Sequence, residues 1–181
     1  RCDVPNLSTS LYFVVNDAFY SKALPKVDLP EGVIVDSLSK VAAEKPEFIE
    51  KYYGKIAKTD EDSITALNTM LAQDGLLIYV PKNVKVERTI QVINILRSDV
   101  DLMVNRRVLI VLEQGAEAKF LFCDHAADDK NFLATQVIEA FVGENASLDL
   151  YCLEETHIKN RRVSNVYIEQ QANSRVNHNV I

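Results

Sequence analysis

Residues 62–86 read DSITALNTMLAQDGLLIYVPKNVKV. Up to Gln73 the spacing predicts a helix. Asp74-Gly75 interrupts it, and the run Leu76-Leu77-Ile78-Tyr79-Val80 has the short, apolar character of a strand. Pro81-Lys82-Asn83 then punctuates. On the helical side, Thr59 is placed to cap and Asp62 follows three residues on, with acids in the first turn to suit the helix dipole. Ile64, Leu67, Met70 and Leu71 form one apolar stripe, the pattern of a helix laid on a core. Gly75 is read as the left-handed residue that closes the helix. On this reading the 60–73 helix covers one end of whatever the strands build.

Beyond residue 76 the period changes to two. Apolar alternation runs through 76–80, 84–95, 108–112, 116–123, 137–142, 148–153 and 163–168, with no further helix of useful length. Four turns share a form: PKNV at 81–84, EQGA at 113–116, GENA at 143–146 and EQQA at 169–172. Each is strand, three polar or turn residues, then a small apolar residue. Taken on Val84, Ala116, Ala146 and Ala172, the spacing is 32, 30 and 26 residues. A period in this range suggests stacked units that bury a shared core. An antiparallel β-sandwich built of similar hairpins gives much the same pattern.

Upstream, 11–15 and 32–35 read as short strands, with Pro25 and Pro30 between them. Asp36-Ser37 offers a cap for a helix carrying Leu38, Val41 and Ala42. Pro46 opens a second helix with Phe48, Ile49, Tyr52 and Tyr53, which Gly54 ends. The expected division is a mixed, helical region over 1–75 and a β core over 76–181.

The 181 residues carry a net charge of -6. That excludes broad, non-specific binding to nucleic acid or anionic membrane, which needs a basic face. Arg106-Arg107 and Arg161-Arg162 are only pairs and read as solvated strand ends. No apolar run approaches the roughly 18–20 residues of a spanning helix. The start at Arg1-Cys2 has no initiating Met or signal segment, and the end at Ile181 stops inside a strand pattern, so a fragment truncated at both ends is expected. Cys2, Cys123 and Cys152 are too few and too scattered for a disulfide framework, which fits reduced thiols in the cytosol.

Two Cys–His constellations merit weighing as metal sites. Cys123 and His125 share one face if their strand continues, and two such ligands can begin a zinc or iron–sulfur site. The plainer reading is a strand end running into the acidic loop at 126–130. Aligning Ala116, Ala146 and Ala172 puts Phe122, Cys152 and His178 in one column, one strand spacing apart (~4.8 Å). Cys152 then reads as a small buried hydrophobe and His178 as its polar neighbour. A one-residue register error sends His178 to the other face. Cys152 with His157 lacks the third group and oxyanion site of a catalytic pair. Glu154-Glu155 and Asp128-Asp129 alternate faces and make no acid–base couple. There is no phosphate-binding loop of the G-x-x-x-x-G-K-S/T kind.

The segment 66–92 resembles the region that opens the core of the SufB/SufD family: a helix with Ala66-Leu67-Asn68, a Gly, the strand Ile78-Tyr79-Val80-Pro81, a short turn and a β-branched run like Ile90-Gln91-Val92. Gly32–Leu38 with its following helices, Gln114-Gly115-Ala116 and Glu144-Asn145-Ala146 also look like this family. The resemblance covers roughly 30–181 and leans to SufD, since the cysteine-rich character of SufB is absent. It implies a right-handed parallel β-helix preceded by a small helical region. It implies a cytoplasmic, non-catalytic scaffold for iron–sulfur cluster assembly, paired with a SufB-like paralogue and a SufC-like ATPase. The cluster would be transient cargo of the full assembly, with no cofactor bound by this segment. The family's cluster-related Cys and His lie further C-terminal, so no functional residue is carried over. Two alternatives stand beside this: a β-helix enzyme acting on acidic polysaccharide, and a β-sandwich binding module. Self-association through an uncapped final turn is a further expectation.

Overall fold

A computed structural model describes residues 8–21 and 29–181; Cys2 and Pro25 lie outside them. The elements are β1 (Thr9–Val15), β2 (Ala18–Tyr20), β3 (Ile34–Ser37), α1 (Leu38–Glu44), α2 (Pro46–Tyr52), α3 (Ser63–Leu71), β4 (Leu76–Val80), β5 (Thr89–Leu96), β6 (Leu102–Leu112), β7 (Glu117–Ala126), β8 (Phe132–Val142), β9 (Ser147–Glu154), β10 (Asn160–Gln170) and β11 (Arg175–Val180). From β4 onward the chain alternates between two sheets. The first is ordered β11-β9-β7-β5-β1-β2 and the second β10-β8-β6-β4-β3. Within the coil every pairing is parallel; only β1–β2 and β3–β4 are antiparallel. This is a parallel β-solenoid of about four turns, and the sandwich alternative is excluded. Among the described residues no helix is long and apolar enough to cross a membrane.

The two sheets face each other across one core. Val108, Ile110 and Leu112 of β6 and Ile138, Ala140 and Val142 of β8 meet Phe120 and Phe122 of β7 and Leu148 and Leu150 of β9. The second sheet is buried on its outer face too, where Leu77, Leu109 and Val111 pack against Leu38 and Val41 of α1 and Phe48 and Tyr52 of α2. Burial on both faces explains why β6 and β8 read as near-continuous apolar runs.

The turns are held by backbone geometry. Asn83, Gly115, Asn145 and Asn173 have φ of 60°, 68°, 57° and 57°. Each is the third residue of a turn in which the fourth N–H donates to the first carbonyl: Val84 to Pro81, Ala116 to Glu113, Ala146 to Gly143 and Ser174 to Gln171. Positive φ at that position selects Gly or Asn. The true column therefore runs at spacings of 32, 30 and 28. Ala172 does not belong with Ala116 and Ala146. The small residue is a secondary feature, buried in those two and exposed at Ala172, while the left-handed residue marks the turn.

Gly75 has a different task from the one its neighbours suggested. Its φ is not left-handed, and α3 ends at Ala72 in an extended conformation. A Cβ on Gly75 would stand 2.3 Å from the Arg107 carbonyl oxygen, so only Gly lets β4 start this close to β6. Beside it, Asp74 gathers the N-terminal elements. Its carboxylate accepts from the Ser39 N–H at 3.0 Å, the Ser37 hydroxyl at 2.8 Å and the Phe19 N–H at 3.0 Å. Burial works to raise its pKa, but these bonds and the Gly75 N–H outweigh it and hold the carboxyl below its ordinary value.

The helix α3 departs from the expected pattern. Its cap is Asp62, not Thr59, and accepts from the Thr65 N–H at 2.7 Å. That bond holds the partly exposed Asp62 carboxyl below its ordinary range. The helix does not cover an end of the solenoid; it lies across the outer face of the second sheet, against β6 and β8. Its buried residues are polar. Asn68 donates to the Arg106 carbonyl at 3.0 Å and the Thr135 hydroxyl at 2.9 Å. Thr65 shares a 2.8 Å hydrogen bond with the Tyr167 hydroxyl. The apolar stripe is not the buried face: Met70 is 72% exposed and Leu71 36%, and Ile64 and Leu67 are only half-buried. Carbonyls and hydroxyls on a sheet face need partners, and α3 supplies them, so its apolar flank is left outside.

Arg107 and Glu139 sit beneath the connection from α2 to α3 as a fully buried ion pair, 2.6 Å apart. This overturns the solvated reading of Arg106-Arg107. Glu139 also accepts from the N–H groups of Gly54 (2.9 Å) and Ala57 (3.1 Å). Arg107 donates to the Thr69 hydroxyl at 2.9 Å and lies 4.5 Å from the centre of the Tyr53 ring. Replacing Glu139 with Ala leaves a buried guanidinium unpaired and is expected to cost about 3–5 kcal/mol in chemical denaturation, with amide exchange rising first over 52–58. Asp74→Asn is expected to cost about 1 kcal/mol, since the site is half exposed. Because the folded pKa is depressed, that difference is full above about pH 4 and shrinks as pH falls through the folded value. Urea titrations at pH 7 and pH 3 check this.

Candidate functional site

Inside the solenoid a polar seam interrupts the apolar core. In the first sheet Asn94, Asp124 and Glu154 stack in register. In the second, Arg106, Gln136 and Ser164 do the same. The same inward parity that gives Val104 and Val108 gives Arg106, and the parity of Phe120 and Phe122 gives Asp124. Apolar layers close both sides: the main core on one and Leu96, Val104, Phe132 and Ala134 on the other.

Arg106 and Asp124 form the centre, with side chains 3% and 2% exposed. Arg106 donates to Asp124 through Nη1 and to the Asn16 carbonyl through Nε at 2.8 Å. Burial lowers the Arg106 pKa and Asp124 opposes that. Arg162 bridges Asp124, at 3.3 Å, and Glu154. Among the described residues, the donors Arg106 Nη2, Arg162 Nε and Asn94 Nδ2 and the acceptor Gln136 Oε1 have no hydrogen-bond partner. Two arginines and two carboxylates balance, so the seam carries no net formal charge.

The candidate ligands are placed around this seam without converging. Cys152 faces inward, 3% exposed. Its register partner is Phe122, while His178 pairs with Leu150, two residues from the expected column. The offset follows from the 28-residue last turn. His178 still approaches diagonally: its Nε2 lies 3.9 Å from Cys152 Sγ, at the exposed end of the coil. Cys123 is buried on the opposite, outer face of the first sheet, where the Gln91 amide points at its sulfur. His125 follows on that face, 3.8 Å from Glu155. His157 lies outside the core against Asp129 at 3.6 Å, far from a catalytic geometry with Cys152. Among the described residues no three His, Cys, Asp or Glu side chains group to hold a metal ion. Glu154 serves the seam and Glu155 the outer face; Asp128 accepts from the Ser98 N–H and Asp129 pairs with Lys159.

Burial pushes the Cys152 thiol up to about 11; Arg162 pulls it down, and Asp124 and Glu154 add to the rise. The seam itself escaped the sequence reading because paired arginines normally mark solvated strand ends. The signal that finds it is parity: Arg106 and Asp124 occupy inward positions of strands whose other inward residues are apolar.

Two family models together span the chain. One, described as the SufBD protein N-terminal region, matches residues 1–92; the other, SUF system FeS cluster assembly, SufBD core domain, matches 94–181. The chain belongs to the SufB/SufD family of iron–sulfur cluster assembly proteins. The iron–sulfur cluster assembly protein SufD of Bacillus subtilis is 30% identical over 148 residues, 81% of this chain and 34% of that protein. The SufBD family protein ABCI9 of Arabidopsis thaliana is 31% identical over 118 residues, 65% of this chain and 25% of its own length. A SufBD family protein of Synechocystis, slr0076, is 26% identical over 171 residues, covering 89% and 36%. The chain thus spans about a quarter to a third of these relatives.

With Cys2 and Cys123 replaced by Ser, Cys152 is expected to alkylate at least about a hundredfold more slowly than a free thiol at pH 8, since thiolate is the reactive form. Iodoacetamide kinetics followed by mass spectrometry measure this.

Proposed function

We propose that this chain acts as a non-catalytic scaffold within the SUF machinery, of the SufD kind more than the SufB kind. The observation that carries it is the pair of family matches spanning the sequence, together with the coverage by a SufD relative. Its partners on this reading are a SufB-like paralogue and a SufC-like ATPase, and the iron–sulfur cluster is transient cargo of the whole assembly. Among the described residues up to 75, α1, α2 and α3 serve as a helical collar on the β core, while β1, β2 and β3 extend its sheets. The cytoplasm is the proposed location; one Arabidopsis relative is described as chloroplastic, so organellar sites also suit the family.

The geometry is in keeping with scaffolding. The buried charges are engaged in holding layers together, and Cys152, with its raised pKa, is a poor nucleophile at neutral pH.

Co-expression of the parent protein with a SufB-type and a SufC-type protein, followed by single-tag purification, tests this. A stable complex retaining the ATPase is the expected result. Failure to retain either protein, or lyase activity on a uronate polymer, would sink the proposal.

A further inference from the structure

The outer face of the second sheet divides into three zones along its strands. Helices α1 and α2 cover the zone of Leu77, Leu109, Val111 and Phe141. The polar face of α3 covers the zone of Asn105 and Thr135. The last zone holds Met103, Leu133 and Arg161, in register across β6, β8 and β10. There Leu133 is 40% exposed, as is its near neighbour Val163 at 39%.

The flank of α3 adjoins this bare zone. Thr69 meets Arg107, on the side of α1 and α2. At about 100° per residue, Ile64 and Leu71 fall on the opposite flank, towards Met103 and Leu133. Helix flank and strand surface thus form one shelf; on its strand side lies an open groove of about 480 Å³ that sets Leu102, Met103, Phe132 and Leu133 beside the polar Asp101, Asn131, Lys159 and Arg161. A contiguous patch of this kind marks a docking surface.

Charge narrows the occupant. No charged residue lies within α3 from Ser63 to Leu71. At the groove, Asp101 is engaged by the Asn131 N–H and side chain, and Lys159 by Asp129. Arg161 donates only to the Ile158 and Asn160 carbonyls; among the described residues no carboxylate pairs with it. Strands β6 and β8 are paired on both sides, so their face has no backbone to offer a strand, and an apolar sheet face takes a helix.

We propose that this shelf seats an amphipathic helix of a partner protein, lying beside α3 with an acidic residue reaching Arg161. About three turns match the length of α3, at the usual 8–10 Å helix spacing. This docking is independent of the assembly role proposed above and stands or falls on its own.

Fluorescence anisotropy with labelled helical peptides of about fourteen residues tests it on the whole chain. One peptide carries Leu at i, i+3, i+7 and i+10 in an Ala/Glu background. Its twin has Lys for Glu, and a third has the Leu residues scrambled. The acidic peptide is expected to bind at micromolar Kd. Leu71→Glu and Leu133→Glu should each weaken it about tenfold or more, with circular dichroism unchanged because both sites are exposed. Arg161→Glu should reverse the preference to the Lys twin. Equal binding of the scrambled peptide, indifference to Leu71→Glu and Leu133→Glu, or no binding at about 100 μM overturns the proposal. So does a dimer, seen by sedimentation, that the same two substitutions dissolve, since the shelf would then belong to a second copy.

Discussion

The buried pair of Arg107 and Glu139 decides where the N-terminal helices sit. A guanidinium and a carboxylate with no exposed surface are tolerable only when their remaining hydrogen-bonding capacity is met. The segment between α2 and α3 supplies it through the Gly54 and Ala57 N–H groups, and α3 through the Thr69 hydroxyl. Without that pair the zone under α1 and α2 would offer them apolar contacts alone, which are non-directional. With it, one register satisfies both charges, and α3 is fixed over Asn105 and Thr135 with its polar side down.

That placement has consequences for the rest of the surface. A helix that meets backbone carbonyls and hydroxyls with Thr65 and Asn68 cannot also bury Met70. The apolar stripe is legible from residue spacing, but spacing gives only the existence of a face. Which face goes inward depends on what the opposing sheet presents, and here it presents polar groups needing donors. Asp74 performs the corresponding task at the other end of α3. It collects the Phe19 and Ser39 N–H groups and the Ser37 hydroxyl where the chain enters the solenoid.

The solenoid was legible because its repeat is imposed by covalent geometry. A residue in the left-handed region at each turn has to be Gly or Asn, and Asn83, Gly115, Asn145 and Asn173 satisfy this at every turn. The small residue after it is a looser marker, and aligning on Ala172 displaced the last strand by two residues. That error kept the facing of His178, because two residues preserve strand parity, but it misplaced the partner. His178 pairs with Leu150 and reaches Cys152 only on the diagonal. The seam of Arg106, Asp124, Arg162 and Glu154 was hidden for another reason. An Arg pair on a strand has one member on each face, and composition alone cannot say that both faces are covered.

The sequence by itself determined the period, the two-residue alternation and the turn chemistry and, through the resemblance of the stretch at 66–92, the family and with it the parallel coil. Those are local properties: a φ value, a side-chain parity, a cap. Only the tertiary structure decided that both members of Arg106-Arg107 are buried, that Gly75 is demanded by the Arg107 carbonyl, and that α3 docks by its polar side. Each depends on what a distant strand brings opposite, and contacts of that kind are set by assembly of the layers, which no single stretch of the chain contains.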